Sequence, residues 1–111
     1  MKNRMDNKTY IAGRDARADI LLEDSNISRC HMQLVVLSET EVEITDLNST
    51  NGVFVVHGDE QEKVLKAIIP IDTIIIIGKS YRTSPQALLE LMKSGRSTFK
   101  STSQTSFSDA P

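Results

Sequence analysis

Short apolar runs alternate with clusters of polar turn residues from Thr9 to about Tyr81. In the run EVEIT, Val42 and Ile44 lie between polar neighbours, and this alternation is expected of a strand with one face in solvent. Strands that follow one another at short intervals, with no helical pattern between them, predict an antiparallel β-sandwich or barrel. The predicted strands are TYIAG, DILL, MQLVVL, EVEIT, VFVV, VLKAII and TIIII.

Turn signals separate these strands. The clusters are rich in residues that tolerate left-handed backbone or hydrogen-bond to their own backbone. One of them, LNSTNG at 47–52, ends in Asn51-Gly52, a pair that can close a two-residue hairpin by itself. This turn therefore carries more polar side chains than a hairpin needs. The full set is GRDARA, EDSNIS, SETE, LNSTNG, HGDEQE and PID.

Segment 84–94 has the pattern of a short amphipathic helix. Ser84 is a candidate N-cap, because its hydroxyl can accept a hydrogen bond from an amide of the first turn. Pro85 suits the first helical position, and Gly95 is a residue type that commonly ends a helix. The predicted apolar stripe consists of Ala87, Leu88, Leu91 and Met92.

The C-terminal segment is strongly polar. The eighteen residues from Ser94 onward include nine Ser or Thr and only two aromatic residues, a composition that predicts disorder because too little apolar surface is available to form a core. We predict a flexible N-terminus at 1–8, a β-sandwich at 9–83, a short helix at 84–94 and a disordered Ser/Thr-rich tail at 95–111.

Length and composition are those of one soluble globular domain. The chain has 111 residues, of which 39% are hydrophobic and 25% charged, with a net charge of −2. Its basic residues are scattered, whereas nucleic-acid binding requires them to be clustered. We therefore expect no nucleic-acid partner.

Cys30 is the only cysteine, so the chain cannot form an intrachain disulfide, and a reducing compartment fits best. The longest apolar run, Ile74 to Ile77, is far too short to span a bilayer. The first residues also lack the apolar stretch of a signal peptide. We expect a cytoplasmic protein without membrane insertion.

Catalysis is not favoured by the residue pattern. Asp24, Ser28 and His31 are the residue types of a hydrolytic triad, but no Gly-x-Ser-x-Gly elbow surrounds Ser28. The strand ending in Gly78-Lys79-Ser80 resembles a phosphate loop, but the position that requires the first glycine is Thr73. We expect no enzyme activity and no cofactor.

A metal site would require Cys30, His31 and His57. Cys30 and His31 are adjacent and would point to opposite faces of a strand, so they cannot readily share one ion. A buried thiol and a hydrogen-bonding imidazole are the favoured interpretation. We expect no metal.

Several polar residues remain at turns that a sandwich can gather at one end. They include Gly13-Arg14, the Ser28-Arg29 pair followed by His31, and Thr50-Asn51. Together they would supply a guanidinium, hydroxyls and an amide, which are hydrogen-bond donors without a base or an activated nucleophile. Such a group suits a phosphate, to which Arg14 would offer a charge-assisted fork. Alternatively, Arg14 is an ordinary solvated side chain, Ser28 caps a loop and Asn51 only forms a turn.

The order of these motifs resembles the forkhead-associated (FHA) domain. The family pattern is Gly-Arg, then Ser-x-x-His, then Ser-Thr-Asn-Gly on an eleven-stranded sandwich, and the matching stretches here are Gly13-Arg14, Ser28–His31 and Ser49–Gly52. The resemblance covers about residues 9–82. It departs from the family at the N-terminal sheet edge, where residues 1–6 do not form a convincing strand.

The resemblance implies that the loops bind a phosphothreonine peptide. Arg14 and Ser28 would contact the phosphate, with Thr50 beside them. Arg29 and Asn51 would hold the peptide backbone on either side. His31 would brace the loop that presents Ser28, and the remaining expected structural residues, which permit the turns, are Gly13 and Gly52.

The predicted function is a module that recruits partner proteins after a Ser/Thr kinase has phosphorylated them. The alternative is a phosphate-independent scaffold or assembly subunit of a larger complex, for example a secretion apparatus. Self-association is a further expectation, either through the N-terminal sheet edge or through phosphorylation of the tail at Thr98, Thr102 or Thr105.

Overall fold

Two β-sheets pack face to face in the computed structural model, which describes residues 8–94. The predicted β-sandwich with a short C-terminal helix is confirmed. The strands are β1 Lys8–Gly13, β2 Ile20–Leu21, β3 Met32–Val36, β4 Glu41–Asp46, β5 Val53–His57, β6 Glu60–Val64, β7 Lys66–Pro70, β8 Ile75–Ile77 and β9 Tyr81–Thr83, followed by helix α1 Pro85–Ser94.

The first sheet has the strand order β2-β1-β3-β4-β7, and the second has the order β6-β5-β8-β9. All the pairs are antiparallel except β1 with β2, which run parallel over two residues. At this edge the Ile11 amide also donates a hydrogen bond to the Asp19 carboxylate at 2.8 Å. The N-terminal edge is therefore partly covered by the chain itself, and residues 1–7 lie outside the described residues.

The core forms where the inward side chains of the two sheets meet. Val42 and Ile44 of β4 are fully buried, as their alternation predicts. Val53 and Val55 of β5 face them from the second sheet. Burying each such side chain stabilises the fold by about 1.5–3 kcal/mol. The remaining core members are Ala12, Ile20, Leu22, Ile27, Met32, Leu34, Ile69, Ile75, Ile77 and Leu88.

The prediction of a turn over HGDEQE is wrong for most of these residues. Only Gly58 and Asp59 lie between paired residues, and β6 begins directly after them at Glu60. Strand β6 is an edge strand whose side chains are mostly exposed, so it lacks the apolar alternation by which a strand is recognised. The run VLKAII is also divided, because Val64 ends β6 and Lys66 begins β7 in the other sheet.

Helix α1 begins as its sequence predicts. The Ser84 hydroxyl accepts a hydrogen bond from the Ala87 amide at 3.1 Å. Of the predicted stripe, Leu88 and Met92 are confirmed, whereas Ala87 and Leu91 are exposed. Gly95, predicted to end the helix, lies outside the described residues. The side chains that face the sandwich are Pro85, Leu88, Leu89 and Met92.

None of the helical structure within residues 8–94 has the length and apolar character that a membrane crossing requires.

Leu88 allows a test of whether α1 is part of the folded unit. Leu88→Ala should lower the free energy of unfolding by about 2–4 kcal/mol, because it leaves a cavity beneath the helix. Leu91→Ala is the matched control, since Leu91 is 45% exposed and should cost less than about 1 kcal/mol. Urea denaturation measures both. Equal effects of the two variants would show that the helix does not contribute to the core.

Candidate functional site

Three loops meet at one end of the sandwich, and the loop that carries Ser28 lies between the other two. On one side, the Arg14 amide donates to the Ser28 carbonyl at 3.0 Å and the Asp15 amide donates to the Arg29 carbonyl at 3.2 Å. On the other side, the Thr50 amide donates to the Ser28 hydroxyl at 3.1 Å. The structure therefore brings together the loops in which the sequence places its candidate ligand contacts.

Gly13 allows the first of these approaches. A Cβ atom at this position would overlap the Arg29 carbonyl and would lie 3.0 Å from the Ser28 carbonyl oxygen. The backbone of Gly13 is not in the left-handed region, so space alone requires the glycine. Any larger residue would separate Arg14 from Ser28.

His31 connects the Ser28 loop to the turn at 49–52. Its imidazole is fully buried. The Ser28 amide donates to Nδ1 at 2.9 Å, and an amide can only donate, so Nδ1 is the accepting nitrogen. Nε2 therefore carries the proton and donates to the Gly52 carbonyl at 2.8 Å. These two bonds fit the bracing role expected of His31, and they leave neither nitrogen free for a ligand.

The turn at 47–52 crosses from one sheet to the other, because β4 and β5 belong to different sheets. The interpretation of Asn51-Gly52 as a hairpin turn is therefore wrong. Positive φ occurs at Asn48, 58°, and at Gly52, 88°, but not at Asn51.

Two residues organise this crossing: Asp46, which the sequence did not single out, and Ser49, which begins the motif Ser49–Gly52 but was assigned no role. The Asp46 carboxylate accepts hydrogen bonds from the hydroxyl and the amide of Ser49. The Ser49 hydroxyl in turn accepts from the Gly52 amide at 2.9 Å. The spacing of three between Asp46 and Ser49 is the available signal, since short polar side chains commonly bond to nearby backbone.

Arg14 is exposed, and its guanidinium is held by one edge only. Its Nε donates to the Ile27 carbonyl at 2.9 Å, so the two terminal nitrogens remain available to an outside acceptor. No carboxylate within residues 8–94 lies within salt-bridge distance of Arg14. The Asp15 carboxylate is occupied by Arg17, whose hydrogen bonds lower the pKa of Asp15 to about 2.

Ser28 and Thr50 contribute hydroxyl groups to the same group of loops. The Ser28 oxygen already accepts the Thr50 amide, so its own proton is free to be donated outward. Thr50 and Arg29 are exposed, and among the described residues the side chain of neither one makes a hydrogen bond. The arrangement thus offers several donors to one small region of solvent.

Asn51 is anchored by half of its amide. Its Nδ2 donates to the Asn26 carbonyl at 2.9 Å, which leaves Oδ1 and one N–H for a ligand. The same carbonyl lies against Gly78, where a Cβ would approach it to 2.8 Å, and the Gly78 amide donates to Gly52 at 3.0 Å. The loop that begins at Gly78 leads into β9 and not into a helix, and through these contacts it supports the loops that carry Asn26 and Gly52. The neighbouring Tyr81 has a raised pKa, first because of burial and then because of the Asp24 charge.

The structure does not assemble the alternative sites. Both nitrogens of His31 are bonded to backbone, so the imidazole does not activate the Ser28 hydroxyl, and Asp24 accepts from the Asn26 amide instead. Cys30 is exposed, so the expectation of a buried thiol is wrong. Its loop precedes β3, outside the alternating pattern that would have turned it inward. No cluster of potential metal ligands occurs within residues 8–94.

Comparison with known proteins gives one family for this chain and for its structural neighbours. The family model of the FHA domain matches residues 10–78. The solved FHA domain of the CT664 protein from Chlamydia trachomatis is 35% identical with a TM-score of 0.55, covering 64% of this chain and 68% of that one. The FhaA FHA domain, solved with the intracellular domain of Rv3910, is 27% identical with a TM-score of 0.55, covering 70% and 78%. An FHA domain solved for its phosphothreonine-dependent interactions is 28% identical with a TM-score of 0.53, covering 63% and 68%.

Two curated relatives bear the name oxoglutarate dehydrogenase inhibitor. The protein from Corynebacterium efficiens is 36% identical over 62 residues, and the protein from Corynebacterium glutamicum is 34% identical over the same length. The match covers 56% of this chain but 43% of each relative, so the chain spans less than half the length of the curated relatives it matches.

His31→Ala tests the bracing contact by its effect on stability. The change removes the acceptor of the Ser28 amide and one donor to Gly52, both in a buried setting. We expect the free energy of unfolding to fall by about 2–3 kcal/mol. His57→Ala is the control, because His57 is exposed and its imidazole bonds to the exposed Glu62. If chemical denaturation finds the two variants equally stable, His31 does not hold the loops together.

Proposed function

The chain belongs to the FHA-domain family, and we propose on that premise that it binds phosphothreonine-containing protein segments through the loops around Ser28. Binding would recruit a partner protein after a Ser/Thr kinase has acted on it. FHA domains are phosphothreonine-binding interaction modules, and the relatives named as enzyme inhibitors are consistent with regulation through protein contact.

The observation that supports this function best is the set of unused donors beside Ser28. In the proposed complex, the phosphate accepts hydrogen bonds from the Arg14 terminal nitrogens and the Ser28 hydroxyl, with Thr50 beside them. A phosphate dianion has the charge and the acceptors to use several such donors at once, whereas a carboxylate has only two oxygens. Because the loops are already linked by hydrogen bonds, little ordering would be required on binding.

Arg29 and Asn51 are assigned to the peptide backbone. Asn51 is fixed through Nδ2, so its Oδ1 is suited to accept a peptide amide. Arg29 follows Ser28 in the chain and is exposed. Gly13, His31 and Gly52 shape the site without touching the ligand. We infer a binding module and not an enzyme, because the site offers donors but no free base.

The direct test is a titration with phosphothreonine peptides beside their unphosphorylated counterparts. Isothermal calorimetry or fluorescence anisotropy with a peptide library should show saturable binding only for the phosphorylated members. Equal binding of both forms would contradict the proposal and would favour the phosphate-independent scaffold.

Arg14→Ala should weaken phosphopeptide binding about ten- to a hundredfold, because hydrogen bonds to charged groups contribute about 1.5–3 kcal/mol. Arg14→Lys should recover only part of this, since an ammonium lacks the planar fork. Both variants should keep the wild-type circular dichroism spectrum, because Arg14 is exposed.

Arg17→Ala is the matched control for charge. It removes the same charge from the same loop, but its guanidinium is already paired with Asp15 at 3.0 Å. The affinity of Arg17→Ala for the phosphopeptide should change by no more than about twofold. A loss for Arg17→Ala as large as that for Arg14→Ala would mean that net charge, and not the Arg14 fork, attracts the phosphopeptide.

A further inference from the structure

Lys63 of β6 lies across the turn that carries Asn51 and Gly52, although it belongs to none of the motifs described above. Lys63 is the cross-strand partner of Phe54, which lies two residues beyond Gly52. A Cβ atom built at Gly52 would lie 2.9 Å from the Lys63 Cε and 3.6 Å from its Cδ. The aliphatic stem of the lysine therefore occupies the space above Gly52 that any other residue would fill.

This packing places the Lys63 side chain beside the turn at 49–52. Phe54 Cε1 lies 3.5 Å from the same Cβ position, so the Lys63 stem and the Phe54 ring both adjoin Gly52, and Lys63 is exposed. Within residues 8–94, no carboxylate lies within salt-bridge distance of Lys63. Lys66, on the next strand, is by contrast 3.9 Å from Glu43.

We propose that Lys63 selects phosphopeptides that carry an acidic side chain close to the phosphothreonine, on the Asn51–Gly52 side of the site. This inference rests on the proposed function, since it concerns the same bound peptide. The ligand class is a phosphothreonine segment with a neighbouring Asp or Glu. Lys63 acts as a specificity-determining residue and not as a contact of the phosphate itself.

The position of Lys63 relative to Thr50 separates these two roles. Gly52 is two residues beyond Thr50, a length of chain that spans at most ~7 Å. The Thr50 amide bonds to the Ser28 hydroxyl, whereas the Lys63 stem lies over Gly52. A peptide extends by roughly 3.3 Å per residue. The Lys63 ammonium is thus placed to meet a side chain within about three positions of the phosphothreonine.

The experiment compares a phosphothreonine peptide with neutral flanking residues against the same peptide with Asp placed at each flanking position in turn. The wild-type chain should bind one or two of the Asp peptides about two- to fivefold more tightly than the neutral one, as expected of an exposed ion pair. The preference should decrease as salt is raised through physiological ionic strength.

Lys63→Met keeps the length of the stem over Gly52 and removes only the charge. It should bind the neutral phosphopeptide within about twofold of wild type and lose the preference for Asp. Lys63→Glu should invert the preference at the same peptide position, so that Lys replaces Asp as the favoured residue. Lys8→Met is the control, because Lys8 begins β1 at the end of that strand away from Gly13 and should leave the preference intact.

Failure of this inference is distinct from failure of the proposed function. If no phosphopeptide binds the wild type, the proposed function is wrong, and the Lys63 inference falls with it. If the neutral phosphopeptide binds but Asp is preferred nowhere, or Lys63→Met retains the preference, only the assignment of Lys63 is overturned. A loss of affinity by Lys63→Met that is equal for neutral and acidic peptides would likewise overturn it, by making Lys63 a phosphate contact.

Discussion

The geometry of the site depends on one buried imidazole between two loops. His31 accepts the Ser28 amide and donates to the Gly52 carbonyl, and the same carbonyl accepts the Gly78 amide. These bonds join the two sheets, since the Ser28 loop leads into β3 whereas Gly52 and Gly78 flank β5 and β8 of the second sheet. A buried polar group is costly when it is unpaired, so each bond of His31 favours one arrangement of the loops.

The inner bonds leave the outward groups free. The backbone and the His31 imidazole bond to one another inside the loops. Arg14 is fixed by one nitrogen, Asn51 by half of its amide, and Ser28 by its lone pair alone. Each is oriented by one bond and keeps further donors or acceptors for a ligand, which is the arrangement that preorganised recognition requires. Lys63 extends this arrangement, because its stem is positioned by packing while its charge remains unpaired among the described residues.

The sequence predicted those parts of the fold in which local pattern and burial agree. Val42 and Ile44 alternate with polar residues and are buried, and Ser84 caps the helix it was expected to cap. Prediction failed where burial gives no local signal. The side chains of strand β6 are mostly exposed on both faces of the sheet, and β9 has only three residues. Only half of the helix stripe was right, because Leu91 is as apolar as Leu89 and the local pattern does not distinguish the leucine that faces the sandwich.

The sequence motifs predicted the residues of the candidate site, but not the contacts that position them. The three motifs locate Arg14, Ser28 and Asn51 along the chain, yet the contacts that position them join residues far apart in sequence. Asn51 bonds to Asn26, and Gly78 rests on the same carbonyl. No periodicity reports such contacts, because they arise only when two sheets fold together. Lys63 was missed for the same reason, since an exposed lysine on an edge strand has no local feature that points to a loop.

An NMR titration tests the central claim most directly, because it reports the place and the phosphate dependence of binding at once. Amide spectra of the 15N-labelled chain would be followed while a phosphothreonine peptide, and then its unphosphorylated counterpart, is added. The account predicts that only the phosphorylated peptide shifts resonances, with the largest changes at Arg14, Ser28, Thr50 and Asn51. Shifts of equal size with both peptides, or shifts confined to the opposite end near Lys8, would contradict it.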